Sequence, residues 1–240
     1  MKFKTLLTEA TLLRRYLGFL TEVALKNNKK RTIYCPNLSP LLKCDVLGSR
    51  VWFSNSGRLS RGYLDVWELV EVNGGYLVSI HPDHPKTLLM EAIEEGIIIE
   101  LQGYRFLQMG IAGRGLKSDI ELLLNQNGEQ CFLCIEQVTL ENDKGEGYFP
   151  EVRGGGILHL QELMTLRDMG HRTILFLCVT HTGIQCVKPA ENIEPSYAKL
   201  LKDALVKGVE VLAYRSHISL QEMVLESRIP VVLSENILHR

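Results

Sequence analysis

No apolar run in this chain approaches the ~20 residues that span a bilayer. Near the start, in "MKFKTLLTEATLLRRYLGFL", Glu9 and the Arg14–Arg15 pair break up the leucines, so the sequence is read as having neither signal peptide nor anchor. Charge of either sign is not in excess. With 27 basic and 28 acidic residues the formal net charge is −1, which excludes a global field for nucleic acid or membrane. Repeats and low-complexity tracts are absent. The expectation is a soluble, cytoplasmic protein whose polyanion contacts, if any, come from a local patch.

Cysteines are present, but a disulfide framework is not expected without a secretory signal. Cys35, Cys44, Cys131, Cys134, Cys178 and Cys186 lie mostly in apolar or strand-like segments. If "CFLC" is part of a strand, Cys131 and Cys134 point to opposite faces and cannot share one metal. Packed free thiols are expected.

What is there divides near residue 80. The first part alternates short extended runs with turns. "FLTEVAL" (19–25) and "RTIYC" (31–35) flank "KNNKK", and "DVWELVEV" (65–72) passes through "NGG" into "YLVSI" (76–80), which predicts two hairpins. Closely spaced strands over residues 1–80 predict a small β-barrel. "HPDHPK" (81–86) is read as the boundary. Residues 81–240 then mix helices and strands. A helix opens at a Thr87 N-cap, "SDIELLL" (118–124) and "CFLCIEQVTL" (131–140) are strands, and a helix over 155–170 leads into the strand "TILFLCVT" (173–180). A last helix (196–208) precedes "VEVLAY". This is an α/β sheet layered with helices.

Inside the strand "FLCIEQVTLE" sits Glu136, and a desolvated carboxylate needs a partner or a cation. The order helix, strand, strand matches a PD-(D/E)xK nuclease core, in which acids hold Mg²⁺ and a lysine positions the attacking water. The matching positions are Glu91, Glu121 and Cys134-Ile135-Glu136.

The chain then resembles the sugar fermentation stimulation family, SfsA. The likeness runs through "LLRRYLGFL", "CPN", "VWFSNS", "WELVEVNG", "EAIEEGII", "ELQGY", "VTLEN", "HLQEL", the spaced Pro189–Tyr197 motif and "GVEVLAY". The resemblance implies an OB-like barrel followed by a PD-(D/E)xK nuclease-like domain, DNA binding, and a role in regulating sugar-use genes. It also exposes departures. Glu121 stands for a family aspartate, Cys134 for the metal-binding glutamate, Glu136 for the lysine, Gly155 for an arginine and Leu158 for a lysine, while His159 is kept. A carboxylate cannot supply a lysine's cation, and a neutral thiol is a poor Mg²⁺ ligand.

Two readings of Glu136 follow. In one, Glu91, Glu121 and Glu136 form a rearranged cluster holding Mg²⁺ or Mn²⁺, with Glu121 and Glu136 as the metal ligands of a working nuclease. In the other, the site is degenerate and Glu136 is a structural acid. The expected function is DNA binding, through phosphate contacts from Arg14, Arg15, Lys29, Lys30, Arg31 and Arg61, with Lys26 nearby; Tyr34 and Trp67 are candidate stacking surfaces or core, and Trp67 is read as core. A regulatory interaction module without DNA binding is the third class. "GRG" (113–115) and "RGGG" (153–156) are weaker candidates for phosphate loops.

Overall fold

The computed structural model describes residues 1–60, 62–111, 120–142, 144–150 and 155–233. Six strands come first: β1 (Thr8–Tyr16), β2 (Leu20–Leu25), β3 (Lys30–Tyr34), β4 (Arg50–Ser60), β5 (Tyr63–Val72) and β6 (Tyr76–Ser79). They pair in the order β3-β2-β1-β4-β5-β6, and a parallel contact of Tyr34 with Val66 joins β3 to β5. That contact closes β1–β2–β3–β5–β4 into an OB-type barrel.

Alternating side chains fill it, with Leu12, Val23, Ile33, Phe53, Trp67 and Val70 among those inside. Trp67 is fully buried, and its Nε1–H donates to the Leu69 carbonyl at 2.9 Å, so it is core and not a stacking surface. Both expected hairpins form. In the second, Gly74 adopts φ 83°, and a Cβ there would meet the Tyr76 ring at 2.9 Å, so only glycine fits. β1 has no counterpart in the sequence reading. Its register shifts between Leu12 and Arg14, which blurs the two-residue period that reveals a strand.

The second half contains α1 (His84–Glu94), β7 (Arg105–Ile111), β8 (Ile120–Gln126), β9 (Glu129–Val138), β10 (Glu146–Phe149), α2 (Gly155–Asp168), β11 (Arg172–Val179), β12 (Cys186–Pro189), α3 (Pro195–Lys207), β13 (Glu210–Ile218) and β14 (Met223–Arg228). α1 corrects the expected start. It opens at His84 after Asp83, with Pro85 in the first turn, where the missing N–H of proline costs nothing. Thr87 is not the cap; its hydroxyl donates to the Asp83 carbonyl at 3.2 Å.

The main sheet runs β14-β13-β11-β9-β8-β7. β9, β11 and β13 are parallel, joined by crossovers through α2 and α3, and the outer pairings are antiparallel. This is the layered α/β unit, nuclease-like in its order of elements. β7, β10, β12 and β14 are additions to the sequence reading. β10 and β12 have four residues each, too few to show a period.

The two sheet faces carry different cores. Cys134, Leu175, Leu177 and Val179 pack with Leu160 and Leu163 of α2 and with Tyr197 and Leu201 of α3. Cys131, Leu133, Ile174 and Phe176 pack with Leu88 and Leu89 of α1 and with Trp52 and Leu69 of the barrel. Cys131 and Cys134 thus face opposite ways, as a strand requires, and none of the six cysteines is in a disulfide. Burial pushes the Cys131 thiol up to about 12. The shared core seats the barrel on the sheet, and Ser79 N–H donates to the Thr180 carbonyl at 2.9 Å across the junction. Among the described residues no helix is long and apolar enough to cross a membrane.

Candidate functional site

β9 is fully buried from Cys131 to Cys134 and then opens, so that Ile135, Glu136 and Gln137 are half-buried. Glu136 therefore sits just past the dry part of the strand. Its two carboxylate oxygens lie 3.2 and 3.3 Å from the hydroxyl of Tyr197, which donates to them from a fully buried ring. Burial and the adjacent carboxylate raise the Tyr197 pKa well above the ordinary phenol value, so the proton stays on the tyrosine.

The N-terminal turn of α2 presses on the same pair. A Cβ on Gly156 would lie 2.4 Å from the Tyr197 ring and 2.7 Å from Glu136 Oε1. The neighbouring Gln137 turns toward the barrel junction and donates through Nε2 to the Ser79 carbonyl and to Thr180 Oγ1, both at 2.8 Å.

Glu136 lines a cleft of about 460 Å³ between the barrel and the sheet, with Asn37, Ser39, Lys86, Gln137 and His159 also in its wall. His159 Nδ1 is buried there without a hydrogen-bond partner. A larger adjoining cleft of about 860 Å³ holds Tyr34, Glu68, His81 and Glu91, and the two share Pro82 and Asp83. Glu91 is ion-paired with the Met1 amino group. Glu136 and Glu91 thus line neighbouring clefts and not one. Cys134 is fully buried in the α2–α3 core. Glu121 lies on β8, but its side chain is outside the described residues, as are Arg61, residues 113–115 and residues 153–154 of the glycine-rich stretch.

The donor chemistry of the Glu136 cleft decides whether the family's Mg²⁺ or Mn²⁺ fits. β9 supplies a carboxylate already engaged by Tyr197 and a thiol locked in the core. Among the described residues no three ligating side chains converge at this cleft. The described donors, Glu136 and Cys134, do not by themselves supply the several oxygen ligands a hard cation asks for.

The basic candidates lie on the barrel. Lys29, Lys30 and Arg31 are exposed on the β2–β3 ribbon. Lys30 pairs with Glu22 at 3.6 Å, Arg31 with Asp65 at 3.1 Å, Arg14 with Glu22 at 2.6 Å, and Lys26 with Glu9 at 3.5 Å. Such exposed pairs are worth only about 0–1 kcal/mol each, so a phosphate can displace the carboxylates. Arg15 is placed differently. Its side chain is 12% exposed, and its guanidinium donates to the carbonyls of Gly18, Asn37 and Ser39 at 2.7, 2.5 and 3.0 Å. It ties the loop after β3 to the barrel.

A cluster that the sequence reading passes over lies in the larger cleft, where Glu68, His81 and His84 converge. The sequence carries one signal for it, the spacing of the two histidines in "HPDHP". A segment read as a linker hid that signal.

Fold and clefts define an OB-barrel protein joined to a nuclease-like α/β domain. The family model described as the sugar fermentation stimulation protein RE domain, SfsA, matches residues 83–222. A sugar fermentation stimulation protein homolog from Saccharophagus degradans is 42% identical over 233 residues, covering 97% of this chain and 100% of the relative. A Marinomonas homolog is 40% identical over 235 residues, covering 97% and 91%. The chain belongs to the SfsA family. Among solved structures, Pyrococcus furiosus SfsA in complex with Ca²⁺ has the same fold, with a TM-score of 0.86 at 21% identity over 97% of this chain and 98% of that one.

Proposed function

We propose that this chain binds DNA through its barrel, that its nuclease-like cleft has lost phosphodiester cleavage, and that it acts in the cytoplasm on the expression of sugar-use genes. The observation that carries the reading is the β2–β3 ribbon, which presents Lys29, Lys30 and Arg31 on an OB-type barrel. Strands 2 and 3 are the face with which such barrels hold oligonucleotides. Tyr34, at the far end of β3 and in the wall of the larger cleft, offers a stacking surface for a base. The contacts are with phosphates and independent of sequence, and specificity resides elsewhere.

Loss of cleavage is supported at Glu136. It occupies the position of the family's lysine, is held by Tyr197, and adds negative charge where a scissile phosphate would lie. The Pyrococcus furiosus relative was solved with Ca²⁺. The described donors of this cleft do not support carrying that ion over.

The test is a labelled duplex incubated with the full chain in Mg²⁺ and in Mn²⁺, followed both for binding and for length. Bound, intact DNA is expected. Cleavage that disappears in Glu136→Ala would install the competing reading, a nuclease built on Glu91, Glu121 and Glu136. Absence of binding at low salt would leave the interaction module.

A further inference from the structure

Glu68, His81 and His84 take no part in the reading above. Glu68 is on β5, His81 lies between β6 and α1, and His84 opens α1. One ligand atom from each lies within 4.8 Å of the other two. Glu68 and His84 are 7% and 6% exposed, so the carboxylate is a nearly desolvated charge that needs a cationic partner.

A protonated His84 is one such partner, and a bound metal ion is the other. Ser54 donates to Glu68 Oε1 at 2.5 Å. Oε2 lies 3.1 Å from His84 Nε2 and has no other polar partner. The other nitrogen of His84, Nδ1, is 2.6 Å from Ser79 Oγ. When Nδ1–H donates to that hydroxyl, the Nε2 lone pair faces the carboxylate, and two electron-pair donors at this distance take a cation between them, either a proton or a metal ion. A hydrogen bond from the second histidine nitrogen is also what fixes the ligating nitrogen in metal sites.

The spacing agrees. Ligand atoms of a tetrahedral site with bonds of ~2.1 Å are about 3.4 Å apart, close to the 3.1 Å seen between Glu68 and His84. His81 is the least buried member. Its ring stacks on His84 at 4.5 Å, and its Nδ1 accepts the Asp83 N–H at 3.2 Å. It is half-buried at the edge of the 860 Å³ cleft, and turning the ring toward the pair gives up that hydrogen bond and the stacking on His84.

We propose that Glu68, His81 and His84 bind one transition-metal ion of the Zn²⁺ class, with a fourth coordination position open to the larger cleft. Two imidazole nitrogens and one carboxylate suit a borderline cation and not Mg²⁺ or Ca²⁺. The ion joins β5 of the barrel to the start of α1, and so pins the barrel to the nuclease-like domain. Its open position accepts water or an anionic ligand.

The experiment strips the full chain with a chelator and titrates it with Co²⁺, then displaces Co²⁺ with Zn²⁺. One equivalent should bind, with weak visible bands and none of the intense absorption of thiolate ligation. Zn²⁺ should raise the melting temperature. His81→Ala changes the least buried ligand, and its metal-free melting curve shows whether it folds. It should bind at least about 10–100-fold more weakly, since the loss of a supporting residue alone costs that much, and it should lose the Zn²⁺-induced shift. Glu136→Gln should leave metal binding unchanged. No saturable binding, equal affinity in His81→Ala, or thiolate-type absorption would each overturn the proposal.

Discussion

Replacing Gly156 with alanine puts a methyl group 2.4 Å from a ring carbon of Tyr197 and 2.7 Å from Glu136 Oε1, whereas ordinary contact begins near 3.4 Å. The ring must give by about 1 Å and the carboxylate by about 0.7 Å. Tyr197 is fully buried and packs edge-on against Phe149, also fully buried, with ring centroids 6.0 Å apart, so the ring has no room. The Glu136 carboxylate can turn, but doing so breaks its bond from the tyrosine. Overpacking of this kind costs roughly 1–3 kcal/mol, and exchanging glycine for alanine in a helix returns up to about 1 kcal/mol. A net loss of about 0.5–2 kcal/mol remains, which for a chain of this size lowers Tm by roughly 1–8 °C. Thermal melts followed by circular dichroism read the change. In an Glu136→Ala background part of the penalty should vanish, a coupling that a double-mutant cycle measures. A Tm that rises on Gly156→Ala would refute the packing of α2 against the Tyr197–Glu136 pair.

Three further outcomes are expected. His181 is buried, which lowers its pKa to about 4 from the ordinary 6.5, and its Nδ1 accepts the Gly183 N–H at 3.0 Å. Below 6.5 the unfolded chain takes up the proton first, so stability is complete above that pH and falls by up to about 3 kcal/mol as pH drops toward 4. Urea unfolding across that range should show the slope in the parent and a shallower one in His181→Asn. Arg15→Ala removes the donor to three carbonyls, of which that of Asn37 is partly buried, and should cost about 1–2 kcal/mol, seen as a lower Tm with an unchanged salt dependence of DNA binding. Tyr197→Phe removes the donor to Glu136 and should destabilise by about 1–2 kcal/mol. A variant as stable as the parent would remove that hydrogen bond from the account.

Much of the fold was legible because its signals are local. Asn28 and Gly74 mark the two hairpin turns at positive φ, and "CFLC" alternates across its sheet as the period of two demands. β1 was not legible, because a bulge displaces its register where two arginines follow two leucines. α1 was misplaced by one turn, because Thr87 is a good cap in isolation, and Pro85, which suits a first turn, was taken for part of the boundary.

At the site, Glu136 drew attention by its chemistry alone. Its partner Tyr197 lies 61 residues away, beyond any spacing rule. Arg14 and Arg15 look alike in sequence, yet one is exposed and the other threads into a loop, a difference set by strand alternation and the fold of residues 36–40. Glu68 meets His81 and His84 only because β5 and β6 pair and deliver the chain to α1.

The most direct test of the central claim is the salt dependence of duplex binding by fluorescence anisotropy, comparing the parent with the variant in which Lys29, Lys30 and Arg31 are all changed to Glu. Each neutralised phosphate contributes about −0.9 to the slope of log K against log salt. The account predicts a steep fall for the parent and a slope flatter by roughly 2–3 in the variant, as three contacts require. Equal slopes would contradict it, and would take DNA binding away from the β2–β3 ribbon.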